Sequence, residues 1–237
     1  MRFARARSAA AMLAAACFLS SGVPAPCQSW PRAVSTLAHS VPPDPVRVRL
    51  LALGARGSAI EQAREHVIAI LSTENSCSAW FREADPDVAA TFESLDFTLH
   101  DGPKYVVAFK SPWGEMFLKH PYSAAVQENA GHNATVLLNV NGPFFENAAD
   151  ILERNPPGRF ARIVGRHALC VGSFDGNTLP AQITTLLHEL GHVIGLLPDD
   201  SDEMSGLSKQ NTERVLHVCR AEIKASAREH RDTTRAY

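Results

Sequence analysis

The sequence predicts an α+β domain, and three observations carry that prediction. Apolar residues recur at helical spacing from Ser58 into the nineties, short β-branched and aromatic runs fill the middle, and helical spacing returns in the last third. The expected layout is N-terminal helices, a small β-sheet, and then two C-terminal helices. At 237 residues, 45% apolar and 20% charged, the chain has material for a real core and the length of one domain or at most two.

The first residues read as a separate object. Arg2, Arg5 and Arg7 precede an uncharged apolar run over 8–19, then Ser20, Ser21 and Gly22. Basic start, short apolar centre and small-residue exit are the layout of a secretory signal peptide over 1–22, too short to span a bilayer as a mature helix. Its cleavage point, and lipid attachment at Cys17, stay open. Residues 23–47, rich in Pro, Ser and Ala, read as an arm, which leaves 48–237 as the domain.

Within that domain, Ser58 is placed to cap a helix with Glu61 three residues on, and Ile60, Ala63, Val67, Ile70 and Leu71 line one face. After the polar stretch 72–76, a second helical segment is expected from Ser78 to about Leu95. Residues 105–109 and 135–140 read as strands, with turns at Asp101-Gly102-Pro103, 111–114 and Asn141-Gly142-Pro143. The run 168–174 reads as strand or loop. A helix follows from about Ala181 to Leu196, ended by Pro198, and a last amphipathic helix from about Lys209 to Ala227 carries Val215, Leu216, Val218, Cys219 and Ile223.

The formal charge is −2, and removing the leader with its three arginines makes it −5. With no basic run, neither nucleic acid nor an anionic membrane surface is an expected partner. Nucleophile-elbow, P-loop and dinucleotide-binding glycine patterns do not occur. In an exported chain Cys27, Cys77, Cys170 and Cys219 are disulfide candidates. Four cysteines allow three pairings, and buried free thiols remain the alternative. Cys170 with Cys219 is the favoured pair because both flank the first of the C-terminal helices.

That helix carries His188-Glu189-Leu190-Gly191-His192. Residues four apart on a helix differ by about 40° in azimuth, so the two imidazoles point the same way and can grip one Zn²⁺ at ~2.0–2.1 Å. Glu189 lies about 100° round from His188, where it can reach a water beside the ion without ligating it. The cation lowers the pKa of that water, Glu189 takes its proton, and a carbonyl polarised by the same ion is attacked. Leu186, Leu187, Leu190, Val193, Ile194, Leu196 and Leu197 make the segment apolar nearly all round. Burying two histidines and a glutamate there is costly without a metal or hydrogen-bond partners. A core helix whose polar groups are satisfied structurally is the plainer alternative. The remaining histidines lack ligand spacing and read as surface or core.

Over residues 184–204 the sequence resembles the zincin metallopeptidases. Gly191 and Gly195 sit as in the metzincin HELGHxxG pattern, where a glycine turns the chain toward a third ligand six residues after the second His. Position 198 is Pro, so the pattern departs there, and Asp199 and Asp200 are equal candidates for a displaced third ligand. A gluzincin-like arrangement would use Glu213 instead. Met204 stands where a Met-turn would. The resemblance implies a zincin-like fold and a zinc-dependent peptidase acting on peptides or proteins. The rival expectation is an exported binding or scaffold protein that keeps a non-catalytic metal site.

Overall fold

The computed structural model describes residues 44–101, 104–111, 114–153, 162–201 and 206–235. The expected leader, most of the arm, Cys17, Cys27 and Met204 lie outside the described residues. Four helices open the fold: α1 (Pro45–Ala52), α2 (Ala55–Ser72), α3 (Ser76–Arg82) and α4 (Val88–Glu93). The Asp44 side chain accepts a hydrogen bond from the Val46 amide at 2.9 Å, with Pro45 opening the first turn. Because Val46 and Leu50 join the core, the folded body begins ahead of residue 48.

The second helical segment differs from expectation. It begins with a reciprocal cap between Asn75 and Ser78 and then splits. Pro86 disfavours helical geometry at Asp85, whose carboxylate instead accepts from the Asp87 amide and the Thr91 hydroxyl. Helix α4 ends before Leu95, and β1 (Asp96–His100) starts at once.

Among the described residues, the middle of the chain forms three small sheets rather than one. Strands β2 (Lys104–Ser111), β3 (Gly114–Pro121), β6 (Ala148–Glu153) and β7 (Arg162–Ala168) make an antiparallel sheet in that order. Strand β5 (Thr135–Asn139) lies between β1 and β4 (Ala124–Ala125), parallel to β1 from Asp96↔Thr135 to His100↔Asn139 and antiparallel to β4. The pair β8 (Cys170–Val171) and β9 (Phe174–Asp175) replaces the expected run over 168–174.

Helices α5 (Leu179–Val193) and α6 (Leu207–Arg235) complete the chain. Every residue from Ala181 to Val193 is buried, so α5 is the central rod of the core. Ile60, Val67 and Leu71 of α2 share that core with Phe97, Val136 and Leu138 of the mixed sheet and with Val215, Leu216 and Ile223 of α6. The disulfide joins Cys77 to Cys219, with 4.6 Å between their Cα atoms, and ties α3 to α6. The expected Cys170–Cys219 pair is therefore corrected: Cys170 is a free, exposed thiol on β8, whereas Cys77 and Cys219 each sit on the buried face of a helix. Among the described residues no helix is long and apolar enough to cross a membrane.

Candidate metal centre

The end of α5 builds the site. Thr184 and Thr185 return hydrogen bonds to the carbonyls of Pro180 and Ala181, which spares two buried hydroxyls. At the far end Gly195 has φ +68°, and the amides of Leu196 and Leu197 both donate to the Gly191 carbonyl, at 2.8 and 3.0 Å. This is a glycine-terminated helix stop that folds the chain back on itself. Leu197 covers Gly191 so closely that a Cβ there would lie 2.5 Å from its Cδ1. The reversal carries residues 198–200 back beside the histidines. On the other side the amides of Asn129 and Gly131 donate to the carbonyls of His192 and Val193.

Three buried or half-buried groups converge as a result. His188 Nε2 and His192 Nε2 are 3.0 Å apart, and Asp200 Oδ2 lies 3.1 Å from the first and 3.3 Å from the second. Among the described residues, His188, His192 and Asp200 are the one group of His, Cys, Asp and Glu able to hold a metal ion. The fit to zinc can be tested on those distances. Ligands at ~2.0–2.1 Å in a tetrahedron stand about 3.3–3.4 Å from one another, close to the observed triangle. Two nitrogens and one carboxylate oxygen are also a donor set that zinc accepts with a fourth position open.

Two of the three groups have an outer partner. The Thr212 hydroxyl is 3.1 Å from His188 Nδ1, and the Asn211 amide donates to Asp200 Oδ2 at 3.1 Å and to the Pro198 carbonyl at 2.9 Å. Both residues lie on α6. Glu189, 5% exposed, is the remaining charged group of the motif.

The charges favour a cation. Burial works to raise the Asp200 pKa, but hydrogen bonds and charge from His188 and His192 outweigh it and hold the carboxyl far below its usual range. Burial likewise works to lower His192, and Asp200, followed by Glu189 and Glu128, raises it above the ordinary imidazole value. Glu189 is raised, chiefly by burial, against the lowering effect of the two histidines. A buried carboxyl so raised is a stronger base once ionised.

Of the two adjacent aspartates, the structure brings Asp200 to the histidines. Asp199 is exposed and turns its carboxylate to the amide and hydroxyl of Ser201. The two are neighbours in a turn, so their side chains leave in different directions. Glu213 is also not brought in: it is exposed and faces Arg220 at 3.9 Å on its own helix. Among the described residues, His66 meets Ser226, His132 meets Thr91, His100 meets Tyr122 and His167 meets the Lys119 carbonyl. Sequence reasoning missed Thr212 and Asn211. Their signal was faint: Asn211 is a polar residue four positions before Val215, on the face of α6 that the core covers. Comparison with family models, with curated proteins and with solved structures found no match for this chain.

Proposed function

We propose that the chain is an exported, zinc-dependent peptidase with a zincin-like catalytic domain. The observation that carries this reading is the convergence of His188, His192 and Asp200 on one point, with the buried carboxyl of Glu189 one residue along the same helix. His188, His192 and Asp200 would hold the ion. When bound, zinc supplies Lewis acidity, making a water easier to deprotonate and a carbonyl easier to attack.

The chain's own groups do the rest. Glu189 accepts a proton from the attacking water and later passes it to the leaving amine nitrogen, a shuttle that suits a carboxyl raised by burial. Asn211 and Thr212 keep the ligands in place. A peptide substrate is supported by β4, the edge of the β1-β5-β4 sheet, onto which an extended chain can add as a further strand. The Ser123 hydroxyl, just before β4, is 2.9 Å from that of Thr185 on α5, so such a strand would run beside the metal helix. Export agrees with the Cys77–Cys219 disulfide, since such bonds persist in oxidising compartments.

The test compares wild type with Glu189→Gln for zinc content and for cleavage of casein or an unstructured peptide. Zinc in both, with cleavage in the wild type alone, is the expected result. Equal cleavage by both removes Glu189 from the reaction, and zinc without cleavage in the wild type leaves a binding site rather than an active one.

A further inference from the structure

Helix α6 supplies no ligand, yet its second turn reaches both sides of the site. Asn211 is 1% exposed. A buried amide is costly unless its donors are used, and both recorded bonds from its nitrogen go to the segment that carries the third ligand, at Pro198 O and Asp200 Oδ2. The next residue, Thr212, sets its hydroxyl 3.1 Å from His188 Nδ1, on the opposite edge of the ring from the Nε2 that faces the ion site.

A neutral imidazole carries one proton, and it ligates only through the nitrogen that lacks it. If Thr212 accepts from Nδ1–H, the Nε2 lone pair is directed at the ion site. In the other tautomer the same hydroxyl can donate to the bare Nδ1, so the contact holds the orientation of the ring, with Nε2 facing the ion site, whichever nitrogen carries the proton. Asn211 acts on Asp200 in a complementary way. It fixes the carboxylate and pins the Pro198 carbonyl two residues earlier, which holds the segment after the glycine turn against the histidines. We infer that Thr212 and Asn211 are positioning residues for the metal centre, Thr212 holding the His188 ring with Nε2 turned to the ion site and Asn211 holding Asp200 on target. The inference rests on the reading of His188, His192 and Asp200 as metal ligands.

The architecture keeps the pair in place. Thr212 and Cys219 are seven residues apart, which is two helical turns and about 20° in azimuth. The Cys77–Cys219 bond therefore clamps the face of α6 that presents Thr212, while Val215 and Leu216 bury the turn between.

The experiment measures zinc affinity of the full chain by competition with a chromophoric chelator, together with the melting temperature of the metal-free protein. Wild type is compared with Thr212→Val, Thr212→Ser and Asn211→Ala. Loss of such outer partners lowers metal affinity about 10- to 100-fold. The expected result is a loss of that size in Thr212→Val and Asn211→Ala, recovery in Thr212→Ser, and an unchanged metal-free melt for the two Thr212 variants. A cobalt-loaded Thr212→Val protein should also show a shifted visible absorption band. Wild-type affinity in Thr212→Val overturns the positioning role of Thr212, and wild-type affinity in a folded Asn211→Ala overturns that of Asn211. Should Asn211→Ala fail to fold, Asn211→Leu, close in volume and without a donor, takes its place in the same assay. A wild type that binds no zinc overturns the underlying assignment of ligands, and this inference with it.

Discussion

His188 and His192 present their Nε2 atoms to each other across 3.0 Å. Two imidazole lone pairs repel at that separation unless a proton or a metal ion lies between them. Asp200 adds a carboxylate oxygen at 3.1 and 3.3 Å from the same two atoms, so the negative charge is already in place for a cation. Everything else about the site follows from how the chain brings these three side chains together.

The third ligand is the first prediction. Asp200→Ala should lower zinc affinity by more than about 100-fold, beyond the loss typical of an outer partner. Asp199→Ala and Glu213→Ala should bind zinc as wild type does, because the first side chain caps Ser201 and the second sits on the surface of α6. Chelator competition on the three variants reads the difference. A larger loss in Asp199→Ala than in Asp200→Ala would reverse the assignment.

The turn after α5 gives the second. At Gly195 the backbone is left-handed, with φ +68°, and a Cβ would also lie 2.2 Å from Asn129 Oδ1, so that side chain would have to move. Gly195→Ala should cost about 1–2 kcal/mol from the backbone conformation alone, which corresponds to a fall of about 2–8 °C in melting temperature. The same change should weaken zinc binding, because Asp200 reaches the histidines only through this reversal. An alanine variant with an unchanged melt would show that the turn carries no strain.

Covalent linkage gives the third. The Cys77–Cys219 bond closes a loop with a sequence separation of 142, and removing a native disulfide typically costs about 2–5 kcal/mol. The double variant Cys77→Ala with Cys219→Ala should melt about 4–20 °C lower. Cys170→Ser, at an exposed free thiol, should stay within about 2 °C. Peptide mapping without reduction should recover residues 77 and 219 in one fragment pair.

The fourth concerns pH and a histidine remote from the site. His66 on α2 meets the Ser226 hydroxyl of α6 at 2.6 Å and lies edge-on to His230, with Gln62 nearby on its own helix. Burial depresses its pKa, and the His230 charge does so further, against opposing effects of Glu65 and Glu229. A histidine lowered on folding contributes stability that is present above its unfolded value of ~6.5 and is lost as pH falls through its folded value. Chemical denaturation should therefore show the wild type losing more stability between pH 7.5 and pH 5.5 than a variant without this imidazole. His66→Gln is that variant, and an identical slope in both proteins would exclude His66 as the source.

Much of the site was legible because its chemistry depends on local spacing. His188, Glu189 and His192 lie on one helix, so helical geometry alone aligned them, and Pro198 and Gly195 marked where the helix stops. Choosing Asp200 over Asp199 needed the actual path of the turn, which neighbouring residues of one type do not reveal. Thr212 and Asn211 reach the site through tertiary packing of α6, and no periodicity announces that. The fold shows the same division. The long helices were legible in place, although α6 runs on to Arg235, past the expected end near Ala227, while Asp96–His100 was left unassigned and β3, β6 and β7 were missed. Those strands are defined by the partners they pair with rather than by their own residues. The disulfide was missed for a related reason: proximity in sequence to α5 favoured Cys170, when burial on helical faces was the better guide.

The most direct measurement is the zinc content of the purified full chain after saturation and removal of excess metal. One equivalent in the wild type, one in Glu189→Gln and none detectable in His192→Ala is the predicted pattern. A wild-type protein that returns free of metal after exposure to excess zinc would contradict the account at its root.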